Sequence, residues 1–125
     1  MKTSKELHEI TLRRGLAPIE KVSVSAWADR YRVLSAGNAE PGRWRTSRVP
    51  YMKAVMDAFS DPEVEKVVVK SAAQVGKSEV LLNVIGRYAS VDPATIMIIQ
   101  PTLEMATDFS KSRLTPMVND SRGLK

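Results

Sequence analysis

The chain has 125 residues, of which 43% are hydrophobic, and it carries a formal net charge of +5 with no cysteine. This composition is too apolar for a disordered tail, and the lack of thiols excludes disulfides, cysteine catalysis and zinc–thiolate sites. The only histidine, His8, is near the N-terminus, so we do not expect a histidine-based metal site or catalytic triad. The sequence contains neither an apolar run long enough to cross a bilayer nor the apolar stretch of a signal peptide.

The positive charge is concentrated in the first half of the chain. Residues 1–60 hold 11 Lys and Arg against 6 Asp and Glu, whereas residues 61–125 hold 8 of each kind. An uneven basic excess indicates a polyanionic partner, with nucleic acid the first candidate. The alternative is that these charges serve only solubility.

Two helical segments are predicted before the first long loop. Residues 1–22 form a short amphipathic segment, which is either a loose helix or a tail. Residues 25–34 are predicted to form a helix with Ser25 as the N-cap. The spacing of Trp27, Tyr31 and Leu34 places these three side chains on one face of this helix.

The loop of residues 35–48 contains a basic and aromatic cluster, Arg43, Trp44, Arg45 and Arg48. One interpretation is a contact with a nucleic-acid backbone, with Trp44 stacking on a base or wedging between bases. The other is that Trp44 anchors the loop on the core while the arginines face water. The sequence leaves both open.

The second half of the chain has a strand–helix–strand–helix pattern. A helix over residues 50–59, with Pro50 in its first turn, leads to an apolar strand at residues 67–69. After a second helix come an apolar strand at residues 95–99 and a last helix over residues 103–114. Strands that are apolar along their whole length are typical of a parallel sheet covered on both faces. The pattern therefore predicts the start of an α/β domain whose sheet is incomplete.

Between the first of these strands and the helix lies a short loop that ends in Gly-Lys-Ser, as in a phosphate-binding loop. Small residues let backbone N–H groups approach phosphates, and Gly76 can adopt φ and ψ values that other residues avoid. Lys77 would reach the β- and γ-phosphates, and the Ser78 hydroxyl would bind Mg²⁺. The first glycine of the strict pattern is replaced by Ser71. The alternative is an ordinary strand–turn–helix with a surface lysine.

Several separated blocks of sequence, in order, are similar to one family. Residues 27–34, 40–46, 50–51, 56–58 and 67–79 resemble the N-terminal region of the large terminase subunit of tailed phages, of the lambda-like type. The resemblance implies a P-loop NTPase three-layer fold with parallel strands, preceded by a helical segment. It predicts an N-terminal helical and basic segment at 1–48 and the first part of the ATPase domain at 49–125.

The resemblance also implies the site residues. Nucleotide contacts are expected from the loop and its flanks, namely Ser71, Ala72, Ala73, Gln74, Val75, Gly76, Lys77, Ser78 and Glu79. Tyr51 matches an aromatic residue near the adenine, although Met52 stands where the family often has Gln. Many terminases place a basic residue inside the loop to stabilise the transferring phosphoryl group. Here Ala72 and Ala73 occupy that region, and Lys70 is the nearest basic residue.

A terminase of this type would use ATP and Mg²⁺ to drive packaging of double-stranded DNA in the host cytoplasm. Its implied partners are DNA, a small terminase subunit, and the portal and procapsid through parts outside this chain, with a homo-oligomeric motor and no membrane. Two alternatives remain. One is another P-loop DNA motor, such as a helicase. The other is a non-catalytic module that binds DNA or the small subunit through residues 1–48 and keeps a vestigial phosphate loop.

The sequence lacks a later apolar strand that ends in paired carboxylates, and it lacks the acidic cluster of a metal-dependent nuclease. We therefore expect a truncated terminase that has no measurable ATPase or nuclease activity by itself. The endonuclease domain would belong to the full-length protein.

Overall fold

The structure is a computed structural model that describes residues 3–124, apart from the side chain of Arg14 and the exposure of Gly123. The ends of the two predicted domains, residues 1–2 and 125, thus lie outside the described residues. The helices are α1 (Ser4–Gly15), α2 (Val24–Tyr31), α3 (Pro50–Ala58), α4 (Lys77–Ser90), α5 (Leu103–Asp108) and α6 (Thr115–Asp120). The strands are β1 (Val33–Leu34) and β2 (Gly42–Arg43); 3₁₀ turns span Thr46–Arg48 and Arg122–Leu124, and a π-helical turn spans Phe109–Leu114.

The core lies where α2, α3 and α4 pack together. Trp27 of α2 is fully buried, and its indole Nε1 donates a 2.7 Å hydrogen bond to Ser90 Oγ at the end of α4. Tyr31 packs beside it, with the two ring centroids 6.1 Å apart. The prediction that Trp27 and Tyr31 share a face is therefore confirmed. The predicted helix end at Leu34 is wrong, because α2 ends at Tyr31 and Leu34 pairs with Gly42 in the antiparallel sheet.

The start of α2 differs from the prediction. Ser23, not Ser25, is the N-cap, and its side chain accepts a hydrogen bond from the amide of Ala26. The helix begins earlier because Val24 is buried and its amide donates to Ser60 Oγ. Ser25 is itself buried, and its amide donates to Asp57 of α3.

Trp44 is buried beside the antiparallel pair β1–β2, and its indole Nε1 donates to Thr46 Oγ1 at 3.0 Å. The loop is thus anchored on the core by this tryptophan. The interpretation of Trp44 as a base-stacking residue is wrong, because its ring is not available to a nucleic acid.

The two predicted parallel strands are not found among the described residues. Residues 67–69 and 95–99 belong to no sheet, and the exposed fraction is 78% for Val68 and 83% for both Met97 and Ile99. A strand is stabilised by hydrogen-bonded neighbours on its edges, and within residues 3–124 neither segment has such a neighbour. The fold is mixed: helices with a small antiparallel sheet, compatible with part of an α/β domain.

The C-terminal helical region continues past the predicted stop. α5, the π-helical turn and α6 follow one another, and Pro116 lies in the first turn of α6, where its missing N–H costs nothing. Met117 is buried, whereas Met105 is half exposed. In residues 3–124, no helix has the length and apolarity needed to span a membrane.

Candidate nucleotide-phosphate site

Two residues with positive φ shape the loop before α4. Gly76 has a φ of +91° and is the N-cap of α4, and Gln74 has a φ of +58°. Glycine adopts this left-handed region at little cost, whereas most other residues are strained there. The loop thus turns sharply, and Lys77 and Ser78 are the first two residues of the helix.

The N-terminus of α4 has no side-chain cap from the described residues. The first N–H groups of any helix lack intrahelical acceptors, and the helix dipole adds partial positive charge there. With 14 residues, α4 is long enough for a substantial dipole. This end of the helix is therefore suited to an anion such as a phosphate.

Lys77 folds back across the loop. Its ammonium donates a 3.2 Å hydrogen bond to the backbone carbonyl of Ser71, which connects the two ends of the loop. Lys77 and Ser78 both line an open cavity of about 640 Å³. The other polar residues of its wall come from further along the chain, namely Gln100, Glu104, Asp108 and Arg113.

Glu79, the next residue of α4, is paired with two guanidinium groups. Arg32 Nη2 lies 2.6 Å from Glu79 Oε2, and Arg113 Nη1 lies 3.7 Å from Glu79 Oε1. The side chain of Arg32 is only 2% exposed and that of Glu79 16%. Burial lowers the pKa of Arg32, while the nearby Glu79 opposes this effect. The buried pair ties the first turn of α4 to the end of α2.

The comparisons with known proteins decide the family. Residues 38–125 match the family described as "Phage terminase large subunit gpA, ATPase domain". This chain belongs to that family.

Two terminase relatives are similar over most of the chain. The large terminase subunit of Escherichia phage lambda is 31% identical over 108 residues, which make up 86% of this chain and 16% of that protein. The large terminase subunit of Enterobacteria phage P21 is 27% identical over 106 residues, 84% of this chain and 16% of its own length. This terminase chain thus spans about a sixth of these relatives. No solved structure matches it.

The structure places Tyr51 beside the loop that precedes α4 in this terminase chain. Its hydroxyl donates a 3.3 Å hydrogen bond to the backbone carbonyl of Val75, and 60% of the residue is exposed. Met52, where the resemblance implies an amide, is buried in the core. A packing role therefore accounts for the methionine at this position.

The remaining predicted loop residues, Ser71, Ala72, Ala73 and Gln74, are exposed, as is Lys70. Val75 and Gly76 are half-buried where the loop joins α4. An exposed run of small residues leaves the backbone open to a ligand, as a phosphate loop requires.

The sequence indicated none of the acidic and basic side chains that line the rest of the cavity as nucleotide ligands. Glu104, Asp108 and Arg113 lie about 30 residues beyond the loop, and no motif marks them. Among the described residues, no group of three or more His, Cys, Asp or Glu could hold a metal. The Ser78 hydroxyl at the cavity wall is the candidate Mg²⁺ ligand.

Proposed function

We propose that residues 71–78 bind the triphosphate of ATP together with Mg²⁺. The observation that carries this proposal is the position of Lys77 and Ser78. Both residues are in the first turn of α4, directly after Gly76 with its positive φ, and both line the same open cavity. A cation, a hydroxyl and free helix N–H groups together match the chemistry of a phosphate site.

In this proposal each group has a distinct task. The loop backbone and the N-terminus of α4 bind phosphate oxygens, and Lys77 exchanges its bond with the Ser71 carbonyl for the β- and γ-phosphates. Ser78 orients the metal ion, which neutralises charge on the transferring group. Tyr51, next to Val75, would contact the adenine.

We further propose that residues 67–69 and 95–99 are strands of a parallel P-loop sheet. Both segments are apolar, and each is followed by a helical region. Their exposure in residues 3–124 fits a sheet that needs additional strands. The proposed domains remain a helical, basic segment at 1–48 and the first part of the ATPase domain at 49–125.

The family and the named relatives support a proposal for the larger function. A terminase large subunit would use ATP to move double-stranded DNA into a procapsid in the host cytoplasm. We propose that this chain supplies the phosphate site of such a homo-oligomeric motor. Contacts with a small subunit and the portal, and DNA cutting by an endonuclease domain, would belong to the complete protein.

The test is a titration of the 125-residue chain with a non-hydrolysable ATP analogue and Mg²⁺. The Lys77→Ala variant should bind at least about tenfold more weakly, because a charge-assisted contact with phosphate is lost. Lys66→Ala is the matched control, because it removes one exposed lysine upstream of the loop and away from the cavity. The control should bind like the wild type.

If the wild type and Lys77→Ala both show negligible binding, the proposal is wrong. That result would favour the non-catalytic module with a vestigial loop. If the wild type binds and Lys77→Ala binds equally well, the nucleotide occupies another site.

A further inference from the structure

Arg113 is a second cation on the wall of the cavity that Lys77 and Ser78 line. It lies in the π-helical turn Phe109–Leu114, and half of its side chain (51%) is exposed. We propose that Arg113 contacts the terminal phosphate of the nucleotide bound at residues 71–78, from the side of the first turn of α4. This proposal rests on the proposed function and adds a second phosphate-contacting residue to it.

The contact of Arg113 with Glu79 is loose enough to be exchanged. The 3.7 Å between Arg113 Nη1 and Glu79 Oε1 exceeds hydrogen-bond length, whereas Arg32 binds Glu79 at 2.6 Å. Glu79 would therefore keep a strong partner if Arg113 moved away. Leaving a buried carboxylate without a partner would be costly. Arg113 can bind a phosphate without this cost, because Glu79 remains paired with Arg32.

The local backbone supports this placement. The π-helical turn separates α5 from α6, and Thr115 Oγ1 donates to the carbonyl of Ser110 at 2.9 Å, five residues back. Such a turn inserts an extra residue and changes the direction of the side chains that follow. In this chain the turn carries Arg113 at the α4 side of the cavity.

The charge of the cavity gives the second argument. Its wall carries two cations, Lys77 and Arg113, and two carboxylates, Glu104 and Asp108. Asp108 also accepts a 2.6 Å hydrogen bond from Ser112 Oγ. Without Arg113 the wall would be net negative and would repel a triphosphate. The second cation therefore balances these carboxylates, and a planar guanidinium can bind two phosphate oxygens at once.

The test compares the affinities of the full chain for a non-hydrolysable ATP analogue and for ADP, each with Mg²⁺. Arg113→Gln should weaken binding of the triphosphate about tenfold and binding of the diphosphate much less. The preference for triphosphate over diphosphate should therefore fall. Arg113→Lys should restore part of it, because the charge remains while the planar fork is lost.

Lys111→Gln is the matched control. It removes the same charge from the same π-helical turn, but Lys111 is exposed and does not line the cavity. This variant should keep the wild-type preference. Thermal unfolding of both variants checks that the fold is intact, and the ratio of the two affinities in one sample is insensitive to a partly unfolded fraction.

An unchanged preference in Arg113→Gln, or an equal loss for ATP analogue and ADP, would overturn the proposal. If either result is found while Lys77→Ala abolishes binding, the proposed nucleotide site is supported and only the proposed role of Arg113 is wrong. If the wild-type chain binds neither nucleotide, both proposals fail together.

Discussion

At the scale of single residues, Gly86 shows how closely α2 and α4 pack. A Cβ atom at this position would lie 2.7 Å from Cζ3 and 3.0 Å from Cζ2 of the Trp27 ring, and nearer still to Cη2. Trp27 is fully buried and bonded to Ser90, so the ring has little room to move. Only glycine fits this contact without a shift of the tryptophan.

Gly86→Ala should therefore lower the free energy of unfolding by about 1–3 kcal/mol, the usual cost of overpacking a core. Urea unfolding measures the loss. Gly37→Ala is the control, because a Cβ there meets nothing within 4 Å. A Gly86→Ala protein as stable as this control would show that Trp27 is less constrained than the structure indicates.

The sequence predicted those residues of the candidate site whose positions depend on local spacing, and it did not predict the others. The Gly-Lys-Ser end of the loop placed Lys77 and Ser78 correctly at a helix start, because that geometry depends on adjacent residues. The pair Arg32–Glu79 joins residues 47 positions apart. No periodicity relates two residues so distant, and from the sequence alone each is expected to be an ordinary charged residue on the surface. The same holds for Arg113.

At the scale of elements, Asp57 connects α3 to the start of α2. Its Oδ1 accepts a 3.2 Å hydrogen bond from the Ser25 amide, and its Oδ2 lies 2.6 Å from Lys53 Nζ. Burial would raise the pKa of Asp57, but hydrogen bonds from Lys53 and Ser25 outweigh it, and the pKa is lowered below its ordinary value of 3.8. The folded state therefore favours the charged carboxylate.

This shift predicts a loss of stability in acid. A carboxyl group with a lowered pKa stabilises the fold above its unfolded pKa, and the stabilisation is lost as the pH falls through the lower folded pKa. The free energy of unfolding should thus decrease from about pH 4 downward. Asp57→Asn should be less stable than the wild type at pH 7 and less sensitive to acid. Equal acid sensitivity in both proteins, measured by urea unfolding at several pH values, would contradict this assignment.

The elements themselves were predictable to different degrees. Helix α3 has apolar positions at helical spacing and Pro50 as a start signal, so its bounds were predicted within one residue. Helix α4 was predicted to follow the Gly-Lys-Ser loop, and it does. A strand depends on neighbours that the sequence pattern does not supply. The apolar segments 67–69 and 95–99 therefore look like buried strands by composition, yet they remain unpaired in residues 3–124.

At the scale of the whole molecule, stability is expected to be uneven. Helices α2, α3 and α4 share one core with fully buried side chains such as Trp27 and Met56. The segments 67–69 and 95–99 belong to no sheet and expose large apolar side chains. Backbone groups inside a packed helix open only with large-scale unfolding, whereas exposed, unpaired amides open almost freely.

Amide hydrogen exchange should therefore show high protection factors in the packed helices and low ones in the unpaired segments. The amides of Leu82 and Asn83, buried in the middle of α4, should be strongly protected, while those of residues 95–99 should exchange within about tenfold of unfolded-chain rates. Protection factors, which correct for the slow intrinsic exchange of isoleucine, are the quantity to compare. Exchange at several protein concentrations is the control. Strong, concentration-independent protection of residues 95–99 would contradict this prediction, because it would show that these residues pair within the chain.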